Sequence, residues 1–151
     1  MNILKRRHNW LALPALLVIV FCFFSGFSSD VKPVSVSEKL IERTEIMQQC
    51  LEGTITYGEA EKQLSRIETQ PLLAEDTKNL KNSVDTDFDT VHMMHIVSTE
   101  EKRDILGSRT YEIAVKWDME GPDGRYVTEG TYNVVTQKTG QKYLLSKFDL
   151  I

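Results

Sequence analysis

An uncharged, apolar run over residues 10–27 is the strongest constraint on how this chain can fold. Lys5, Arg6 and Arg7 precede the run, and no acidic residue does. This arrangement is typical of a secretory signal or a signal anchor, and the basic residues before it keep the N-terminus in the cytoplasm. We therefore expect residues 1–29 to be a signal peptide or membrane anchor, and the rest of the chain to lie outside the membrane.

The end of this run decides whether the chain is lipidated, cleaved or retained. Lipidation of Cys22 requires a small residue just before the cysteine, and Phe21 stands there, so we expect Cys22 to be unmodified. Signal peptidase prefers small residues at the third and first positions before its cut, and Gly26 and Ser28 satisfy this preference. A retained anchor needs about 20 apolar residues, which residues 10–29 just supply. The sequence leaves open a single-pass membrane protein with an outer C-terminal domain and, alternatively, a secreted one.

The charge of the exported part limits the kinds of partner it can bind, and its cysteine content limits the disulfides it can form. The whole chain has a net charge of −4, and without Lys5, Arg6 and Arg7 it has 15 basic and 22 acidic residues, a net charge of −7. Phosphate contacts need a basic face, so we expect no nucleic acid as a partner. Cys50 is the single cysteine after the run, which excludes an internal disulfide, and we expect it to pack as a small apolar side chain.

A polar linker over residues 30–34 separates the run from a first helix. Ser35 and Glu38 have the spacing of a capping box, and Gly53 ends the helix. Between them, residues recur at three and four positions along one face: Leu40, Thr44, Met47 and Leu51. We therefore expect one extracytoplasmic domain over residues 35–151.

Two more helices are predicted before the sequence changes character. Thr56 and Glu59 form a second capping-box pattern, and Pro71 is expected to end that helix. A third, weaker helix is predicted from Leu72 to Val84. None of the three is long or apolar enough to be stable alone, so they need a sheet to cover.

The second half of the chain predicts that sheet. Residues 110–119 alternate apolar and polar side chains, as a strand with one solvated face does, with apolar positions Tyr111, Ile113, Val115, Trp117 and Met119. The sequence Gly-Pro-Asp-Gly at 121–124 predicts a turn, and residues 125–136 a second strand. An earlier strand is predicted over residues 88–97, followed by a charged, exposed connection over residues 98–108.

The last strand follows a turn at Lys-Thr-Gly-Gln and carries a sign of irregularity. Tyr143 and Leu145 share one phase of the alternation, while Phe148 has the other. This change of phase predicts a β-bulge near Ser146 and Lys147. The order of elements predicts an α+β domain in which three helices pack on one face of a curved antiparallel sheet of about four strands.

This order of elements resembles the NTF2-like superfamily. The resemblance covers residues 35–151 and is closest at the ending "GTYNVVTQKTGQKYLLSKFDLI", where Gly140 lies in the turn and Tyr143 and Leu145 begin the last strand. With the N-terminal segment, the whole resembles VirB8-like and related accessory proteins of Gram-positive envelopes. The hairpin usual between the early helices of such domains is not visible, which leaves a cystatin-like arrangement open.

The sequence "HMMH" contains two histidines that invite a metal hypothesis. On a helix His92 and His95 would point the same way, but on a strand they face opposite sides. Because the segment is predicted as a strand, we expect two independent histidines and no bound metal or cofactor.

Three aspartates precede these histidines at alternate positions. Asp85, Asp87 and Asp89 have the spacing with which calcium loops begin. An EF-hand is excluded, because Thr90 stands where the turn glycine is needed and Ile96 where the bidentate glutamate is needed.

No pattern for nucleophilic catalysis occurs, so the sequence favours a domain that is not an enzyme. NTF2-like enzymes build sites from His and Asp inside the cone, and the resemblance implies that His92 or His95 with Asp87 or Asp89 is the pair to suspect. Three aromatic side chains are instead predicted to pack in the core: Trp117, Tyr126 and Tyr132.

These observations predict a membrane-anchored or secreted bacterial envelope protein. Its NTF2-like domain is expected to bind an envelope protein or associate with copies of itself. The alternative is a small extracytoplasmic enzyme or ligand-binding protein that uses a His/Asp pair in a pocket.

Overall fold

The computed structural model describes residues 35–83 and 89–151, which form three helices followed by four strands. The elements are α1 (Val36–Leu51), α2 (Tyr57–Leu64), α3 (Leu72–Asn82), β1 (Thr90–Ile105), β2 (Ser108–Gly121), β3 (Gly124–Thr139) and β4 (Lys142–Leu150). The strands form one antiparallel sheet in the order β1-β2-β3-β4. This confirms the predicted α+β class, with three helices and a four-stranded antiparallel sheet.

Both predicted capping boxes are present, and they explain where α1 and α2 begin. The amide of Ser35 donates to Glu38 Oε2 at 2.7 Å, and the amide of Glu38 donates to Ser35 Oγ at 3.1 Å. Thr56 and Glu59 make the same reciprocal pair at the start of α2. Gly53 has a φ of +71° just after α1, a conformation that glycine adopts without steric cost.

The prediction that the second helix continues to Pro71 is wrong, because α2 ends at Leu64. Residues 67–69 instead run parallel to β4 beside Leu145. The amide of Thr69 donates to the Leu145 carbonyl at 2.7 Å, and the Leu145 amide donates to the Ile67 carbonyl at 2.8 Å. These bonds to a strand more than 70 positions away replace the helical bonds that the local pattern favours.

Residues 98–106 are exposed, as predicted, but the prediction that residues 98–108 only connect two strands is wrong, because β1 continues to Ile105. Ile105 pairs with Ser108 across a two-residue turn. The hairpin formed by β1 and β2 contains three register shifts, each of which adds one residue to β1. The added residues are His92, Val97 and Lys102.

The predicted irregularity in β4 is confirmed as a bulge at Ser146. Val135 pairs with Lys147 and Thr136 pairs with Leu145, so Ser146 is the extra residue. Its hydroxyl donates to the Val135 carbonyl at 3.2 Å. The bulge therefore accounts for the change of side-chain phase along β4.

Two apolar clusters form the core. One joins α1 and the start of α3 to a single face of the sheet, and its fully buried members include Leu40, Ile113 and Leu145. The other lies among the three helices and includes Leu64 and Leu80. The alternation predicted for β2 is confirmed, because alternate side chains of that strand enter the first cluster.

Helix α1 runs antiparallel to β1 along the covered face. Near its start the Ser37 and Thr99 hydroxyl oxygens lie 3.1 Å apart. Nearer its end Gln48 Oε1 accepts from the Val91 amide at 3.2 Å. The start of α1 therefore lies toward the end of the sheet that carries the β1–β2 turn.

Several predictions concern residues outside the described part of the chain. These are the signal or anchor over residues 1–29, the linker over 30–34, and Asp85 and Asp87. Over residues 35–83 and 89–151, no helix has the length and apolar character needed to cross a membrane.

Candidate functional site

Three ionisable side chains meet in the interior between the helices and the sheet. Arg43 comes from α1, Glu68 from the segment beside β4, and Asp76 from α3. The Arg43 guanidinium donates to both Asp76 carboxylate oxygens, from Nε at 2.6 Å and from Nη2 at 2.7 Å. This bidentate geometry is the strong form of an arginine–carboxylate pair. We call these three residues the buried triad.

Glu68 is the member of the buried triad with the least favourable surroundings. Its side chain is 0% exposed, and Oε1 lies 3.2 Å from Arg43 Nε. Nε donates its one hydrogen to Asp76, and among the described residues neither Glu68 oxygen has a hydrogen-bond partner in good geometry. Burial and then the negative charge of Asp76 raise the pKa of Glu68 to about 8, against the opposing effect of Arg43. At neutral pH Glu68 is therefore mainly protonated, and the buried triad is close to neutral.

Aromatic rings continue from the buried triad across the covered face of the sheet. The guanidinium carbon of Arg43 lies 4.9 Å from the centre of the Phe148 ring. Phe148 stacks on Tyr132 with ring centres 4.5 Å apart. Trp117 meets Tyr132 edge to face, and its Nε1 donates to the Tyr132 hydroxyl at 2.9 Å. We call these three rings the aromatic row, and together with the buried triad they occupy the space under the helices.

Two of the three aromatic side chains that were predicted in the core lie there. Trp117 and Tyr132 pack against the apolar cluster of the sheet, as predicted. Tyr126 does not, because it lies near the start of β3, where 42% of the residue is exposed. Its hydroxyl donates to Asp89 Oδ2. The helices do not cover this part of the sheet.

The two histidines of "HMMH" lie on β1, as predicted, but a bulge separates them. His95 pairs in register with Lys116 on β2. His92 is the added residue of the bulge, and its Nε2 forms an ion pair with Glu120. Glu120 is four residues from Lys116 on β2, so the two side chains share one face of the sheet. The prediction that His92 and His95 face opposite sides is therefore wrong, because the bulge at His92 interrupts the alternation.

The suspected His/Asp site is not assembled in the described part of the chain. His92 contacts Glu120, Asp89 accepts from Tyr126, and His95 pairs with Lys116. Over residues 35–83 and 89–151, no three His, Cys, Asp or Glu side chains are grouped so that they could hold a metal ion.

A shallow groove lies between α1 and the first residues of β1. Its volume is about 300 Å³, and its lining includes Thr44, Gln48, His92 and Met94. A second depression of about 410 Å³ lies beside the ends of α1 and α3, lined mainly by apolar atoms. Ligand pockets of small-molecule proteins usually hold several hundred cubic ångströms and enclose their ligand, whereas the groove beside β1 is broadly open.

Sequence reasoning missed the buried triad, although a signal for two of its members exists. Arg43 lies three residues after Leu40 on the apolar face of α1. Asp76 lies four residues before Leu80 on the apolar face of α3. A charged residue at an apolar-face position of each of two neighbouring helices indicates a buried ion pair. Glu68 gives no such signal.

Comparison of the sequence with protein-family models found no match, and comparison with curated proteins found none either.

Proposed function

We propose that this chain is a membrane-anchored or secreted protein of a bacterial envelope, and that its NTF2-like domain binds another envelope protein or copies of itself without catalysing a reaction. The N-terminal segment supports the location, and the order of helices and strands supports the family. The function rests on how the interior of the domain is used.

The observation that carries this proposal is the filled interior. In an NTF2-like enzyme the space between helices and sheet holds the substrate. Here the buried triad and the aromatic row occupy that space, and Arg43 contacts both Asp76 and Phe148. A ligand could enter only by displacing a buried ion pair and stacked rings, so binding at the outer surface is favoured.

The edge strand β1 is the surface best suited to a protein partner. Met93 and Val97 are 53% and 65% exposed on this strand. An edge strand also presents backbone groups without a neighbouring strand, and a partner strand can pair with them. The bulges and charges of β1 limit unselective pairing, which suits a specific contact.

Crosslinking in membranes of the native host tests this proposal. The tagged full chain is crosslinked, purified under denaturing conditions and analysed for covalent partners by mass spectrometry. We expect one stoichiometric envelope protein or a dimer of the chain. Val97→Glu is expected to reduce that product several-fold, whereas Val127→Glu, which changes an exposed valine of β3, leaves it unchanged. A chain that gives no crosslinked product, and that retains a small molecule when it is purified in parallel under native conditions, would contradict the proposal.

A further inference from the structure

The turn between β1 and β2 has a residue that its geometry does not favour. Leu106 and Gly107 form the two central positions, with φ values of +50° and +81°. A two-residue turn with two positive φ angles favours Asn or Asp before Gly, because a larger side chain is strained there. Leu106 is nevertheless apolar and fully exposed, and Ile105 beside it is 51% exposed. Local folding alone does not explain an apolar tip in this conformation.

The surroundings of this tip are basic, although the chain as a whole is acidic. Residues 103–110 and 137–143 carry four basic side chains and one acidic side chain, Asp104, a net charge of +3 against −4 for the whole chain. The four basic residues are Arg103, Arg109, Lys138 and Lys142. The two segments are adjacent, because the Lys138 amide donates to the Gly107 carbonyl at 2.7 Å. An apolar tip thus protrudes from a basic rim.

The chain enters the domain at the same end of the sheet. Ser37 near the start of α1 contacts Thr99 of β1. Burial lowers the pKa of Lys39, Glu38 and Glu42 oppose this effect, and the positive charge of Lys142 beside the β3–β4 turn adds to it. The sequence predicts the membrane segment before a five-residue linker, which spans at most about 18 Å when extended. The basic rim and the apolar tip therefore lie toward the end of the sheet at which the start of α1 is placed.

We propose that the β1–β2 turn is a membrane contact, in which Leu106 inserts among the headgroups of an anionic phospholipid bilayer and the basic rim lies over the phosphates. A bilayer accepts a protruding apolar side chain without a complementary pocket, and its anionic headgroups attract nearby Lys and Arg. This contact rests on the membrane tether of the proposed function, but it is separate from the partner surface on β1.

Site-specific fluorescence of the full chain in lipid vesicles tests this contact. In a Cys22→Ser, Cys50→Ser background, Gln141→Cys places an environment-sensitive fluorophore in the exposed β3–β4 turn. The matched control is Asp123→Cys, in the β2–β3 turn at the opposite end of the sheet. Vesicles contain either phosphatidylcholine alone or equal parts of phosphatidylcholine and phosphatidylglycerol, with a quencher attached to the lipid headgroups.

We expect quenching of the label at position 141 in anionic vesicles and little quenching of the label at position 123. Leu106→Asn should weaken the contact by about tenfold, the effect of losing one buried leucine side chain. Because asparagine suits the conformation of the turn, this variant stays folded. Equal quenching at the two positions, or no effect of Leu106→Asn, would overturn the proposal.

Carbonate extraction of the same vesicles separates this proposal from the tether. If the chain resists extraction but the label at position 141 is unquenched, the anchor is retained and the tip does not contact the membrane. A chain that is extracted, but whose label was quenched before extraction, has the contact without a retained anchor.

Discussion

The two faces of the sheet carry the same kinds of charged side chain in opposite surroundings. On the covered face, the buried triad holds Arg43 and Asp76 with side-chain exposures of 11% and 3%. On the open face, Lys116 pairs with Glu129 at 3.7 Å, and the two side chains are 47% and 69% exposed. The covered pair is short and bidentate, whereas the exposed pair is long and single. Pairs of opposite charge therefore contribute differently to stability on the two faces.

Solvent explains this difference. Removing one partner of a buried pair leaves an uncompensated charge in a medium that solvates it poorly. Removing one partner of an exposed pair lets water take its place. We therefore expect substitution of one charged partner to lower stability strongly on the covered face and only slightly on the open face.

The largest expected effect is that of Arg43→Met. This change keeps most of the apolar stem but leaves Asp76 and Glu68 without their cation, and we expect the free energy of unfolding to fall by about 3–5 kcal/mol. Urea unfolding followed by circular dichroism measures it. Arg66→Met, at an exposed position just after α2, is the matched control and should change little. A loss below about 1 kcal/mol for Arg43→Met would show that the buried triad behaves like an exposed pair.

The pH dependence of stability gives the next effect, through Glu68. Its pKa is raised from 4.5 to about 8 in the folded chain, so folding favours the protonated form. The contribution of Glu68 is full below pH 4.5 and is lost as the pH rises to about 8. Glu68→Gln cannot titrate, and we expect the fall in stability across this interval to become shallower in that variant. Glu61→Gln on the exposed face of α2 should keep the wild-type slope; an unchanged slope in Glu68→Gln would refute the assignment.

Leu106→Asn alters the turn at the end of the sheet and leaves both faces unchanged. Unlike the substitutions above, it is expected to increase stability. Asparagine tolerates the left-handed backbone conformation better than leucine, so the variant should be more stable by about 1 kcal/mol. Thermal unfolding of the full chain in detergent measures the change. A destabilised variant would mean that Leu106 packs against part of the chain, contrary to its full exposure.

The smallest expected effect is that of Lys116→Gln on the open face. Its pair with Glu129 is exposed, so the loss should be below about 0.5 kcal/mol and should vanish in high salt. The same urea titration that follows Arg43→Met detects it. A loss comparable with that of Arg43→Met would remove the distinction between the two faces.

Features fixed by neighbouring residues could be predicted from the sequence. The two capping boxes depend on residues three positions apart, and the bulge at Ser146 shows as a change of phase within a few residues. The alternation of β2 predicted which of its side chains are buried. In these places local chemistry and tertiary packing favour the same conformation.

Features fixed by distant residues could not be predicted. Helix α2 ends early because residues 67–69 pair with Leu145, and nothing in the local pattern shows that pairing. Strand β1 is long because β2 offers partners as far as Ser108, although residues 98–105 are mostly charged. The buried triad joins three elements, with Arg43 and Asp76 separated by 33 positions. The sequence pattern indicates the burial of Arg43 and Asp76. It does not indicate that Glu68 contacts them.

The pairing of residues 67–69 with β4 also limits the ways in which copies of this chain could assemble. The middle of β4 has its outer hydrogen-bonding groups occupied by this segment. Among the described residues, β1 at the other side of the sheet therefore offers the longest edge for strand addition. Two copies joined through β1 by a two-fold axis would form a closed dimer, whereas a continuous filament would require a second strand edge of comparable length.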